Sequence, residues 1–218
     1  KGSNPVWENG AADSSLDAMP ADAMPDEAMQ GENIAGSVGE IGGHSHQKIA
    51  KANSSSIIPA QAHKAVTPGV TSTQSNRNPG LYRAVIDQFS VESHPRYAVN
   101  KQGKGDTYCN IFMWDVTRAM GAEIPHYVDP KTLAPRYYPD TKGARELNAN
   151  GIYNWLGKVG EKYGWVKVTP AKAQALANEG KPVVTAKYNN SGPGHVQVVC
   201  PSKDGKYDAS RGVTVAQA

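Results

Sequence analysis

The chain has 218 residues, a formal net charge of +3 at pH 7 and 39% hydrophobic residues, enough for one ordinary domain with an appendage or for two small domains. No apolar run approaches the about 20 residues that a membrane-spanning helix needs. Two cysteines are too few for a disulfide scaffold. The averages conceal a split near residue 75. Residues 1–75 hold one aromatic side chain, Trp7, with 8 acidic and 4 basic residues. Residues 76–218 hold the other 15 aromatics, with 12 acidic and 19 basic residues. Only the second part has the composition of a normal core. Its positive balance suits a polyanion, nucleic acid or an anionic cell wall. No nucleic-acid motif accompanies that charge, so nucleic acid is not expected as a partner, and neither is membrane insertion. The chain opens at Lys1 without an initiator Met or a signal-peptide pattern, which points to a processed or excised piece.

Within 1–75, Met19, Met24 and Met29 recur every five residues and Pro20 and Pro25 interrupt any helix. That period fits neither helix nor strand, so the segment reads as an extended low-complexity arm or linker. Gly31 to Gly43 is glycine-rich, and Lys48 to Asn53 allows one short helical turn. The arm is a candidate for docking on its own domain or on a partner. His44 and His46 are two potential metal ligands, too few for a tetrahedral site on their own. A trimer would gather six around one ion, as phage-spike tips with a similar pattern do. No metal or other cofactor is expected in the main domain.

Order begins near residue 79. Pro79 opens a helix with Leu81, Val85, Ile86 and Phe89 on one face, ended by His94-Pro95. Gly103 to Gly105 is a turn. Residues 105–121, GDTYCNIFMWDVTRAMG, carry a second helix, capped by Asp106 or Thr107, with Phe112, Val116, Ala119 and Met120 inward and Gly121 as the stop. Asp115 lies on that helix but away from Cys109, in a surface or capping role. Residues 122–143, with four prolines among tyrosines and histidines, read as a long ordered loop. A helix over Asn150–Tyr163, a strand at Trp165–Thr169 and a helix over Pro170–Asn178 follow. Strands at Val183–Tyr188, His195–Cys200, Lys206–Ala209 and Val213–Gln217 complete a small antiparallel sheet. Helices first and strands afterwards predict an α+β fold.

Cys109 stands at the start of its helix, where unpaired backbone N–H groups and the positive end of the helix dipole favour thiolate. His195 opens a strand directly after the exposed SGPG turn. A cysteine at a helix N-terminus beside a histidine on a sheet is a nucleophile–base pair of the kind used in papain-like catalysis. A lone cysteine is otherwise a small buried apolar residue, and pairing of Cys109 with Cys200 is the other reading. Strand alternation puts His195, Gln197 and Val199 on one face and Cys200 on the other, which favours packing for Cys200.

Residues 107–126, TYCNIFMWDVTRAMGAEIPH, resemble the cysteine-bearing helix of papain-like peptidoglycan amidohydrolases of the NlpC and CHAP types. Residues 192–201, GPGHVQVVCP, resemble their histidine strand, in the same chain order. The resemblance covers about residues 79–218. It departs from the usual patterns in Tyr108 before the cysteine and Asn110 after it, which points to a phage-lysin-like branch of the superfamily. It implies a papain-like domain over 76–218 and hydrolysis of amide bonds in peptidoglycan by Cys109 and His195. A polar residue on a later strand would orient the imidazole: Gln217 is preferred, with Asp208 the other candidate. Tyr108, Tyr127 and Tyr137 are candidate substrate contacts, with Arg136 and Tyr138 beside them. The expected location is secreted, on the cell wall or in a virion. Two other readings stand: a phage-tail or secretion-device component docked through residues 1–75, and a cysteine protease or toxin acting on protein.

Overall fold

In the computed structural model, the described residues are 5–9, 62–99 and 107–218. They form an α+β fold of four helices and two antiparallel sheets. The helices are α1 (Pro79–Asp87), α2 (Cys109–Ala119), α3 (Ala149–Val159) and α4 (Pro170–Asn178). The strands of the main sheet are β1 (Val6–Asn9), β5 (Trp165–Val168), β6 (Val183–Lys187), β7 (His195–Val199) and β8 (Val215–Ala216), in the order β5-β1-β6-β7-β8. The smaller sheet has the order β3-β2-β4, built from β2 (Tyr127–Val128), β3 (Pro135–Arg136) and β4 (Arg145–Glu146). Among the described residues, no helix is long and apolar enough to cross a membrane.

The sequence division near residue 75 does not separate arm from domain. β1 comes from the first ten residues, and it sits inside the sheet. Val6, Trp7, Glu8 and Asn9 pair with Val168, Lys167, Val166 and Trp165 on one side. On the other side Val6, Trp7 and Glu8 pair with Thr185, Val184 and Val183. Val6 and Trp7 are buried, and the Trp7 ring meets Tyr153 edge-on at 5.7 Å. Four residues are too short to show a period, which is why low-complexity surroundings hid the strand. Residues 62–75 also join the domain: Ala62 and Ser72 are buried, and the Ser72 amide donates to Ala119 O at 2.8 Å. The methionine repeat, the glycine-rich stretch, the turn at 48–53, His44 and His46 lie outside the described residues, as do Gly103–Gly105 and Asp106.

Local chemistry accounts for most of the helices. Asn78 caps α1 by accepting from the Leu81 amide at 2.8 Å, and Pro79 supplies a preset φ at its first position. Asn148 and Thr169 cap α3 and α4 in the same way. Tyr82, Val85 and Ile86 are buried from α1 and Phe89 just after it, and Ile152, Trp155 and Leu156 from α3. α2 is different. It is buried nearly all round, from Cys109 through Thr117, and packs on β7. Its N-cap is Tyr108, whose side chain makes no capping bond, instead of Thr107; Asp106, the other expected cap, lies outside the described residues.

Three further expectations change. Residues 122–143 contribute β2 and β3 instead of a plain loop. No strand forms at 206–209, where a single bridge between Asp208 and Gly212 stands instead. Asp115 is buried rather than at the surface. Arg96 grips it with two bonds, at 2.7 and 3.1 Å, and Tyr97 donates a third at 2.7 Å. Those bonds satisfy a carboxylate that burial would otherwise penalise. They also fasten the turn at 95–97 to α2.

An interior position for β1 has a measurable consequence. Trp7→Ala should lower unfolding stability in urea by about 3–5 kcal/mol, the usual cost of emptying a buried tryptophan site. A loss within about 0.5 kcal/mol, typical of surface positions, would show that residues 6–9 are not a strand of the sheet.

Candidate active site

Cys109 is the first residue of α2 and His195 the first of β7. Because α2 packs on β7, the helix end lies against the strand end. The Cys109 thiol and the His195 ring lie close enough for each to shift the other's protonation. The backbone amides of Val196 and Asn110 also favour the thiolate.

The imidazole is held from its other side. His195 Nε2 lies 2.8 Å from Gln217 Oε1, which leaves Nδ1 for the thiol. Gln217 in turn is oriented by a short chain of side chains. Thr185 Oγ1 donates to Gln197 Oε1 at 2.8 Å, and Gln197 Nε2 donates to Gln217 Oε1. The carbonyl oxygen of Gln217 therefore faces the histidine, which fixes Nε2 as the protonated nitrogen. Thr185 and Gln197 stand opposite each other in register on β6 and β7. Both are buried.

Burial and hydrogen bonding compete in setting the charge state. Burial pushes the Cys109 thiol up, but the bond to His195, its charge and the two amides outweigh burial and bring the thiol below its ordinary value. The bond to Cys109 raises His195 above the ordinary imidazole value, against burial and with help from Gln217. Both directions favour thiolate with imidazolium. Cys200 has the opposite environment: it is fully buried, and burial pushes its thiol up to about 12. Both cysteines are free thiols, so the disulfide reading is set aside.

The turn before His195 is fixed by a residue the sequence did not single out. Asn150, in the first turn of α3, donates to Asn189 O at 3.0 Å and Gly192 O at 3.1 Å, and accepts from the Asn189 amide at 3.0 Å. A Cβ at Gly194 would stand 2.4 Å from Asn150 Oδ1 and 2.5 Å from Lys187 O. Only glycine permits that approach. Thr185 and Gln197 were likewise missed as supports, although the shared face of His195 and Gln197 was visible from strand alternation. Nothing in the sequence marks Asn150, because its partners are backbone atoms 39 and 42 residues away.

The remaining candidates separate. Gln217 is at the imidazole and Asp208 is not: Asp208 is exposed and bonded to Ser210 and Arg211. Tyr108 adjoins Cys109 as the half-buried N-cap of α2. Tyr127 is committed to packing, edge-on to His126 and Trp114, with its hydroxyl donating to His63 O at 3.2 Å. Tyr137 and Tyr138 are exposed, and Arg136 pairs with Asp129 at 3.3 Å. No family model, no curated protein and no solved structure matches the chain.

The charge state is open to direct measurement. The thiolate absorbance lost in Cys109→Ser should persist below the ordinary thiol range near pH ~8.5, and His195→Ala should move its midpoint upward. A midpoint unchanged by removal of His195 would contradict the pairing.

Proposed function

We propose that the chain is a papain-like cysteine amidase or endopeptidase that cleaves amide bonds in the peptide of peptidoglycan. The observation that carries this reading is the placement of Cys109 at the start of α2 beside His195, whose Nε2 lies 2.8 Å from Gln217 Oε1. A thiol so placed is an activated nucleophile. The resemblance of residues 107–126 and 192–201 to peptidoglycan amidohydrolases supports the substrate class. So does the positive balance of residues 76–218, which suits an anionic wall.

The chemistry proceeds in two halves. The Cys109 thiolate attacks the amide carbonyl, and the oxyanion that forms is met by N–H groups at the start of α2, that of Cys109 among them. His195 then gives its Nδ1 proton to the leaving nitrogen, and the C–N bond breaks to leave a thioester on Cys109. In the second half His195 takes a proton from water as the water oxygen attacks the thioester. The acid product leaves and the Cys109 thiolate returns with imidazolium. Gln217 is a positioning residue: it touches neither substrate nor sulfur, and holds the ring in the tautomer that presents Nδ1. Thr185 and Gln197 hold Gln217.

Cys109→Ala should abolish the clearing of peptidoglycan suspensions while thermal melting stays that of a folded protein. Gln217→Ala should lower kcat about a hundredfold, the scale of a small misplacement of a reacting group, with KM little changed and the alkaline limb of the pH profile shifted down. Undiminished clearing by Cys109→Ala would sink the mechanism. Release of peptides from casein but not from peptidoglycan, read by mass spectrometry, would move the same chemistry to a protein substrate.

A further inference from the structure

A second cluster of chemically active side chains lies outside the Cys109–His195 pair. His63 Nδ1 is 3.2 Å from His126 Nε2 and 3.3 Å from Glu146 Oε1, and His126 Nε2 is 3.6 Å from the same carboxylate oxygen. Three donor atoms thus form a nearly equilateral triangle. In a tetrahedral zinc site with bonds of about 2.0–2.2 Å, neighbouring ligand atoms stand about 3.3–3.6 Å apart. We propose that His63, His126 and Glu146 bind a divalent transition-metal ion of the zinc class, through two imidazole nitrogens and one carboxylate oxygen.

The surroundings are built for a fixed ligand. The His126 side chain is fully buried, with its ring stacked on Trp114 at 4.7 Å and meeting Tyr127 edge-on at 4.6 Å. Its Nε2 is directed at the other two donors, and its Nδ1 is buried with no hydrogen-bond partner among the described residues. Tyr127 reaches across to His63 O, which holds that residue's backbone in place. Locked rings of this kind pre-organise a metal site. The side chains of His63 and Glu146 are 30% and 41% exposed, so the fourth position faces solvent. Two neutral imidazoles and one carboxylate leave a dication with net positive charge, and that position suits water or an anionic ligand.

The ion would join three separate pieces of chain: residue 63 near the entry to the domain, residue 126 before β2, and residue 146 on β4. The ligands follow no short spacing, so no sequence motif announces them. The site also adjoins the active-site helix. Trp114 belongs to α2, and Asn110, next to Cys109, donates to Leu147 O at 3.1 Å. The inference does not depend on the catalytic reading.

The test uses the full chain, stripped with a chelator and titrated with Zn²⁺ and separately with Co²⁺. One equivalent should bind, with the intense visible bands of tetrahedral Co²⁺ and no thiolate charge-transfer band. Zn²⁺ should raise the melting temperature. Binding should persist in Cys109→Ala and in the double variant His44→Ala/His46→Ala. It should weaken at least tenfold in His63→Ala and in Glu146→Gln, whose partly exposed side chains can be changed without emptying the core. Unchanged affinity in both of those variants, loss of binding in Cys109→Ala or in the double variant, or no stoichiometric binding at all would overturn the proposal.

Discussion

The electrostatic coupling of Cys109 and His195 links the start of α2 to the start of β7, and the surrounding structure works to keep those two points in register. Burial alone would leave both groups neutral, since desolvation raises a thiol and lowers an imidazole. Here the mutual bond, the amides of Asn110 and Val196, and Gln217 tilt the balance toward charge separation. Each contributor depends on a different element. The Asn110 amide belongs to the start of α2 and that of Val196 to β7, Gln217 needs the chain beyond β8, and the imidazole needs the 189–194 turn held by Asn150.

The packing explains why those elements stay put. α2 is enclosed on almost every side, which is unusual for a helix that also carries the proposed nucleophile. Its far face is fixed by the Arg96–Asp115–Tyr97 cluster and its near end by β7. β6 and β7 carry Thr185 and Gln197, so the sheet itself supplies the support behind the histidine. β1 closes the gap between β5 and β6. A segment from the very beginning of the sequence thereby stabilises the strand pair on which the site rests.

Much of this was legible in the sequence where a feature is local. α1 and α4 announce themselves through Pro79 and Pro170 after a polar cap, and β7 through alternation after a glycine-proline turn. Cys109, His195 and Gln217 could be named because helix ends, strand starts and face alternation are short-range properties. Features made by distant pairing were not legible. β1 has four residues and takes its identity from two neighbours more than 150 residues away. Asn150 and Asp115 have roles defined by partners that only the fold brings near. Tyr127 was read as facing a substrate and instead packs against histidines. The triangle of His63, His126 and Glu146 escaped for the same reason.

The central claim is a thiolate–imidazolium pair oriented by Gln217, and the titration of the His195 ring by NMR tests it most directly. In the native protein the ring should hold its proton above the ordinary imidazole range of about 6.5, with Nε2 protonated throughout. In Cys109→Ala burial should pull the same titration down. A ring that titrates at or below the ordinary value in the native protein, and is indifferent to the loss of Cys109, would contradict the pair.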